Sequence, residues 1–362
     1  MSITCGFIGL GLIGGSIARA IKEKLPDSTI IAYDINENTL LQARTEQVAD
    51  IVTSSIDGHF RSCDYIFLCA PVQKNDENLQ TVKHLLSPHC LLTDVGSVKA
   101  DIHRAIRKAG LSSQFIGGHP MAGSERVGFV NSKAVLLENA YYILTPTKEA
   151  PAEMLSSYRE LVQTLGAIPL VLEPEQHDYV TAAVSHLPHV IAASLVNLVK
   201  DNDSRDGIMK MIAAGGFKDI TRIASSSAAM WQQICLTNTE NIIDLLKDYI
   251  HSLTSVKEAL EHRNAASLYE LFEAARIYRD SFSNASSGPI KKSYCIRIDI
   301  ADKPGALASI VALLASNDIS IKNIGISHNR EAEDGVLQIE LYEEASLLKT
   351  SELLQAQNYT LH

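Results

Sequence analysis

Gly9-Leu-Gly-Leu-Ile-Gly14, set inside TCGFIGLGLIGGSIARAI (residues 4–21), decides the fold. The apolar run Cys5 to Ile8 reads as a buried parallel strand. Three glycines follow at GxGxxG spacing, and Ile13, Ile17, Ala18, Ala20 and Ile21 continue as a helix. A second β-rich run, Thr29-Ile-Ile-Ala-Tyr33, ends at Asp34, 20 residues after Gly14. Strand, glycine turn, helix and acid in this order predict a dinucleotide site. Gly9 would make the tight turn, Gly11 would let a pyrophosphate reach the backbone, and Gly14 would let helix and strand pack closely. Leu10, Leu12 and Ile13 complete the cradle. Phosphates sit well on a helix N-terminus, where unpaired N–H groups and the dipole favour negative charge. Asp34 would accept from the adenosine ribose hydroxyls, which favours NAD over NADP, whose 2′-phosphate would meet a carboxylate. Pro71, after the strand-like Tyr65–Ala70, is placed at the same ligand-binding edge.

Working outward, 362 residues allow two or three domains, and a hydrophobic content of 46% supplies full cores. A net charge of −10 argues against a nucleic-acid or anionic-membrane surface, so positive charge for an anionic substrate must be clustered locally. The six cysteines are scattered without metal-ligand spacing, and no metal is expected. No signal-peptide pattern precedes the first strand, and the apolar stretch Tyr179–Val199 carries His186, Pro188, His189 and Asn197. It reads as a buried helix and not a membrane span, in a protein of the reducing cytoplasm.

Residues 1–172 alternate strand and helix, which predicts an α/β, Rossmann-type doubly wound parallel sheet. Its strands are completed by Val48–Val52, Leu91–Val95, Phe115–Gly118, Tyr141–Leu144 and Ile168–Leu172. Residues 173–285 read as all-α: Gln176–Lys200 as one long helix distorted at Pro188, and Thr237-Asn-Thr-Glu240 as a capping box for another. The second helix is apolar at Ile242, Ile243, Leu246, Tyr249, Ile250, Leu253, Val256 and Leu260, which favours an intertwined homodimer over a monomeric bundle. Residues 286–293 fall in a Ser/Gly/Pro linker. Residues 294–362 follow a βαββαβ order, a ferredoxin-like layout with a charged hairpin at Asn329–Gly335.

Four clusters could carry chemistry. Asp94-Val-Gly-Ser-Val-Lys99 puts Ser97 at a strand end, where the plain alternative is a helix N-cap. Gly117-Gly-His-Pro-Met-Ala-Gly-Ser-Glu125 holds His119 in an irregular loop at the sheet's ligand-binding edge. Its ordinary pKa of about 6.5 suits a general base. Ser185-His-Leu-Pro-His189 spaces two histidines to share one helix face. In Gly215-Gly-Phe-Lys-Asp-Ile-Thr-Arg222, Arg222 can grip a carboxylate with two hydrogen bonds, or merely pair with Asp219 on the surface.

The fingerprint, DVGSVK, GGHPMAGSE, HDYV…SHLPH, GGFKDITRIA and MW, in this order over residues 1 to about 285, resemble the prephenate dehydrogenases of tyrosine biosynthesis. The tail's IADKPGALASI resembles an ACT domain, a small regulatory module that often binds amino acids. The resemblance implies NAD-dependent oxidative decarboxylation of prephenate to 4-hydroxyphenylpyruvate. It implies His119 as base, Ser97 as the serine bridging hydroxyl, base and nicotinamide, Arg222 as carboxylate ligand and His186 as a side-chain contact. Glu125, Lys218, Asp219 and Trp231 would shape the site. It further implies tyrosine as an inhibitory effector near Asp302 and Ser320. Arogenate oxidation is the nearest alternative reaction, and an NAD-binding amino-acid sensor is the alternative from another class.

Overall fold

The computed structural model describes residues 2–361 apart from 71, 125, 285–293, 302, 329–333 and 358. The chain divides into two compact units, Met1–Glu270 and Leu271–His362. In the first, β1 (Thr4–Ile8), α1 (Leu12–Lys24), β2 (Thr29–Tyr33), α2 (Glu37–Thr45) and β3 (Ile51–Thr53) are followed by β4 (Tyr65–Leu68), α3 (Val72–Val82), β5 (Leu91–Asp94) and α4 (Ala100–Ala109). The five strands pair in parallel in the order β3-β2-β1-β4-β5. β1 and β4 are apolar on both faces because both faces are covered. Phe7 stacks on Phe67 at 4.9 Å on one side, while Ile8, Ile66 and Leu68 pack with Phe60 and Leu92 on the other.

Beyond β5 the sheet departs from the all-parallel expectation. β6 (Ile116–Pro120), β7 (Tyr141–Pro146), α5 (Ala152–Thr164) and β8 (Ile168–Val171) follow. β6 runs antiparallel to β7, β7 runs parallel to β8, and a parallel bridge from Leu92 to Phe115 joins this group to β5. Between β6 and β7 the described residues form only short 3₁₀ turns, Phe129–Asn131 and Ala134–Leu137, so no α-helical crossover forces the strands parallel.

The helical segment comprises α6 (Pro174–Thr181), α7 (Leu187–Asn202), α8 (Ile208–Ile212), α9 (Gly215–Thr221), α10 (Ala228–Thr237), α11 (Thr239–Glu261) and α12 (Ala265–Asn284). The distortion expected at Pro188 is a π turn, Ala182–His186, which ends before Pro188 enters the first turn of α7. There a missing N–H costs little. Pro174–Asn202 is long and apolar enough to cross a membrane. Its sequence calls for a buried helix, yet within one chain Ala192 is the one buried residue of α7. Ile243, Ile250, Leu253 and Leu260 of α11 are likewise exposed. These faces leave apolar surface of the kind that marks a protein interface.

In the second unit β9 (Tyr294–Ala301), α13 (Ala306–Ala315), β10 (Ile321–His328), β11 (Asp334–Leu341) and α14 (Glu344–Ala356) form an antiparallel sheet, order β10-β11-β9, with two helices. Alternation along β9 buries Ile296, Ile298 and Ile300 against Ile310, Leu314 and Leu354. The expected last strand is a single bridge from Leu361 to Ile298. The linker 286–293 and most of the Asn329–Gly335 hairpin lie outside the described residues.

Candidate active site

The glycine loop has the shape its sequence predicts. Gly9 has φ +92°, and a Cβ there would come within 2.8 Å of the Ala70 nitrogen. A Cβ on Gly14 would sit 2.9 Å from the Gly9 carbonyl oxygen, whereas at Gly11 nothing lies within 4 Å. The one open position is thus the N-cap of α1, where the first N–H groups lack helical partners and a phosphate fits. Asp34, just past β2, braces the loop: Oδ2 accepts from the Leu10 N–H at 2.7 Å and Oδ1 from the Asn36 N–H at 2.8 Å. Each oxygen keeps a second lone pair for a ribose hydroxyl.

His119 lies in β6, paired opposite Ile143, and not in an irregular loop. Its strand is fixed to β5 by buried charges. The Lys99 ammonium pairs with Asp94 Oδ2 at 2.5 Å and donates to the Gly118 carbonyl at 2.7 Å. Asp94 also accepts from the Gly96 and Gly118 N–H groups. Both backbone groups of the residue before His119 are therefore held.

A hydrogen-bond relay stands behind the imidazole. His119 Nδ1 lies 2.8 Å from His177 Nε2, and His177 Nδ1 lies 2.8 Å from Asp178 Oδ1. The Asp178 carboxylate also accepts from the Lys99 and Ala100 N–H groups at 2.7 and 2.8 Å. It therefore caps α4 from α6, and Ser97 is not the cap: the N-cap residue is Lys99. These bonds assign the tautomers. An acceptor-only carboxylate takes the proton of His177 Nδ1, so His177 Nε2 accepts from His119 Nδ1–H and the lone pair of His119 is on Nε2. Burial first, then His177, Lys99 and His186, hold the His119 pKa well below the ordinary imidazole value. The ring is a neutral base.

On the helical side, His186 is buried, and burial lowers its pKa to about 4. Its Nδ1 lies 3.1 Å from Asn238 Nδ2, and the Asn238 amide also donates to the Asp178 carbonyl at 2.8 Å. The capping box expected at Thr237–Glu240 does not form, because Asn238, the N-cap of α11, turns its side chain to these tertiary partners. Trp231 stacks on His189 at 3.6 Å and meets His186 edge-on at 6.0 Å.

Models of the prephenate dehydrogenase nucleotide-binding domain and dimerization domain match residues 17–170 and 173–274. The prephenate dehydrogenase of Bacillus subtilis is 36% identical over 358 residues, 98% of this chain and 96% of its own length. The chain belongs to the prephenate dehydrogenase family. It is an NAD-dependent oxidoreductase acting on prephenate in tyrosine biosynthesis. The crystal structure of prephenate dehydrogenase from A. aeolicus in complex with hydroxyphenyl propionate and NAD+ superposes with a TM-score of 0.73 at 32% identity, covering 77% of this chain and 98% of that one. The arogenate dehydrogenase of Synechocystis gives 0.69 at 29% identity, covering 77% and 100%.

Within this prephenate dehydrogenase fold, the residues expected at the site divide into groups. His119 bonds His177 and through it reaches Asp178, while His186 joins the Asp178 carbonyl through Asn238 and meets Trp231 edge-on. Ser97 is half-buried just beyond β5. Lys218 and Asp219 on α9, and Arg222 in the 3₁₀ turn after it, are exposed. Pro71, Glu125 and Asp302 lie outside the described residues. Ser320 lines an open groove of about 560 Å³ in the tail with Asp318, Ile321, Tyr342, Glu343 and Ser346. Nothing in the sequence marks His177, Asp178 or Asn238 for a role of its own. Adjacent His-Asp in HDYV is the one signal for the relay, and it is a weak one, since neighbours in sequence seldom share a function.

Proposed function

We propose that His119 is the base of the oxidative decarboxylation, with its Nε2 facing the prephenate 4-hydroxyl, and that the His119–His177–Asp178 relay carries this assignment. Bound on the Gly9–Gly14 loop with Asp34 at its ribose, NAD supplies the hydride acceptor. As the hydride leaves the hydroxyl-bearing carbon, His119 Nε2 takes the hydroxyl proton and the C–O bond becomes a ketone. The carbon–carboxylate bond then breaks, carbon dioxide leaves, and its electron pair flows through the ring to the ketone oxygen as the ring becomes aromatic. That oxygen needs a proton, and His119 returns the one it took. The proton is borrowed, so the base must hold it only briefly. A depressed pKa makes the return easy, and the Asp178 carboxylate behind His177 supports the transient cation.

Ser97 bridges the hydroxyl and the base in this reading, and Arg222, Lys218 and Glu125 complete the substrate pocket. Arg222 would hold a carboxylate of the dianion as a bidentate pair. Replacing Arg222 with Ala is therefore expected to raise the prephenate KM at least tenfold with a smaller change in kcat, read from the appearance of reduced cofactor; a charge-assisted hydrogen bond of this kind contributes about 1.5–3 kcal/mol. An unchanged KM reduces Arg222 to a surface residue. We also propose a homodimer through the exposed apolar faces of α7 and α11. The β-α-β-β-α tail, with Leu361 bridging onto β9, supports an ACT-like module binding tyrosine at the Ser320 groove and near Asp302. Deleting residues 290–362 should abolish tyrosine inhibition and spare turnover. Inhibition that survives the deletion would instead be competition at the active site.

A further inference from the structure

Two buried nitrogens beside the relay have no hydrogen-bond partner among the described residues: His186 Nε2 and Trp231 Nε1. Their rings are 6.0 Å apart, and His186 is 1% exposed. An indole N–H can only donate, but an imidazole nitrogen can do either, so the tautomer of His186 decides what this pocket accepts. Asn238 fixes that tautomer. Its Oδ1 accepts from Asn241 Nδ2 at 2.8 Å, and its Nδ2 donates to the Asp178 carbonyl at 2.8 Å. With the amide held at both ends, the group 3.1 Å from His186 Nδ1 is an N–H donor. His186 Nδ1 must accept it, and the proton of the neutral ring is left on Nε2.

We propose that Asn238 is a positioning residue that locks His186 as an Nε2–H donor, so that His186 and Trp231 form a two-donor pocket selecting a substrate side chain with oxygen acceptors. This rests on the reading of both residues as facing substrate. The pyruvyl side chain of prephenate offers keto and carboxylate oxygens. Arogenate carries an ammonium in place of the keto oxygen, so N–H would face N–H, and each buried donor left unpaired weakens binding. Asn238 thereby sets the preference between the two substrates without touching either.

Two measurements test this. In Asn238→Leu the ring of His186 is free to carry its proton on either nitrogen, and the ratio of kcat/KM for arogenate to that for prephenate should rise about tenfold. A purely structural role would lower both values and leave their ratio unchanged, which overturns the proposal. On the unmodified enzyme, nitrogen NMR of labelled histidine, with the His186 signal assigned by its loss in His186→Gln, should show the Nε2–H tautomer. An Nδ1–H tautomer overturns the proposal whether or not the Leu variant folds. Wild-type turnover of prephenate reports on the underlying reaction separately, because the tautomer is read without substrate.

Discussion

His119→Asn is expected to lower kcat about a hundred- to ten-thousand-fold, the usual worth of a positioned general base, while NAD affinity stays within about twofold. The substitution is selective for a geometric reason. An asparagine amide can still donate toward His177 Nε2, as His119 Nδ1 does across 2.8 Å, so the relay and the β5–β6 clamp keep their partners. What disappears is the lone pair on Nε2. The glycine loop between β1 and α1 makes no hydrogen bond to His119 among those described, so calorimetric titration with NAD should be insensitive to the change. Wild-type kcat/KM should also fall on the acid side as His119 protonates. Because burial and the neighbouring His177, Lys99 and His186 depress its pKa, activity is present above that value and lost as pH falls through it, below the ordinary imidazole value of about 6.5. The variant should lack that limb. Undiminished turnover in His119→Asn would falsify the assignment of the base.

How much of this was legible in the sequence depends on the range over which each feature is encoded. The glycine loop is written in backbone terms, a positive φ at Gly9 and a close approach at Gly14, and both are local. It could be read directly. His119 was legible as a residue but not as part of a strand, because glycines and Pro120 argue against regular structure. The strand forms because β7 supplies antiparallel partners from Tyr142 to Pro146. At residues 237–240 a local rule lost to tertiary contacts, since Asn238 bonds to Asp178 and His186, 60 and 52 residues away. Asp178 caps a helix 78 residues before it in the chain, and no window of sequence could show that. The candidate base His119 was visible as chemistry; the residues bonded behind it, His177 and Asp178, were not, because orientation is a product of folding.

The second large effect is expected on stability. Lys99→Met should lower the thermal midpoint by about 6–20 °C at fixed protein concentration. The pair it breaks is fully enclosed, with Lys99 and Asp94 side chains 0% and 2% exposed. Burial pushes the Lys99 pKa down, and the Asp94 carboxylate opposes that shift, so the ammonium persists because its counter-ion does. Removing one partner of such a pair costs about 3–5 kcal/mol, since the other charge is left buried, and each kcal/mol shifts the midpoint of a domain of this size by about 2–4 °C. The Gly96 and Gly118 N–H groups would still donate to Asp94, but two neutral donors do not replace an ammonium. Adding Asp94→Asn should therefore recover part of the loss, as the stranded charge is removed and the amide oxygen still accepts a backbone N–H. Activity should fall in the single variant beyond what stability explains, because the Gly118 carbonyl loses its donor and the residue beside it is His119. A midpoint within about 2 °C of wild type would mean that water or a shifted side chain solvates Asp94, and that the clamp does not hold β6 in register.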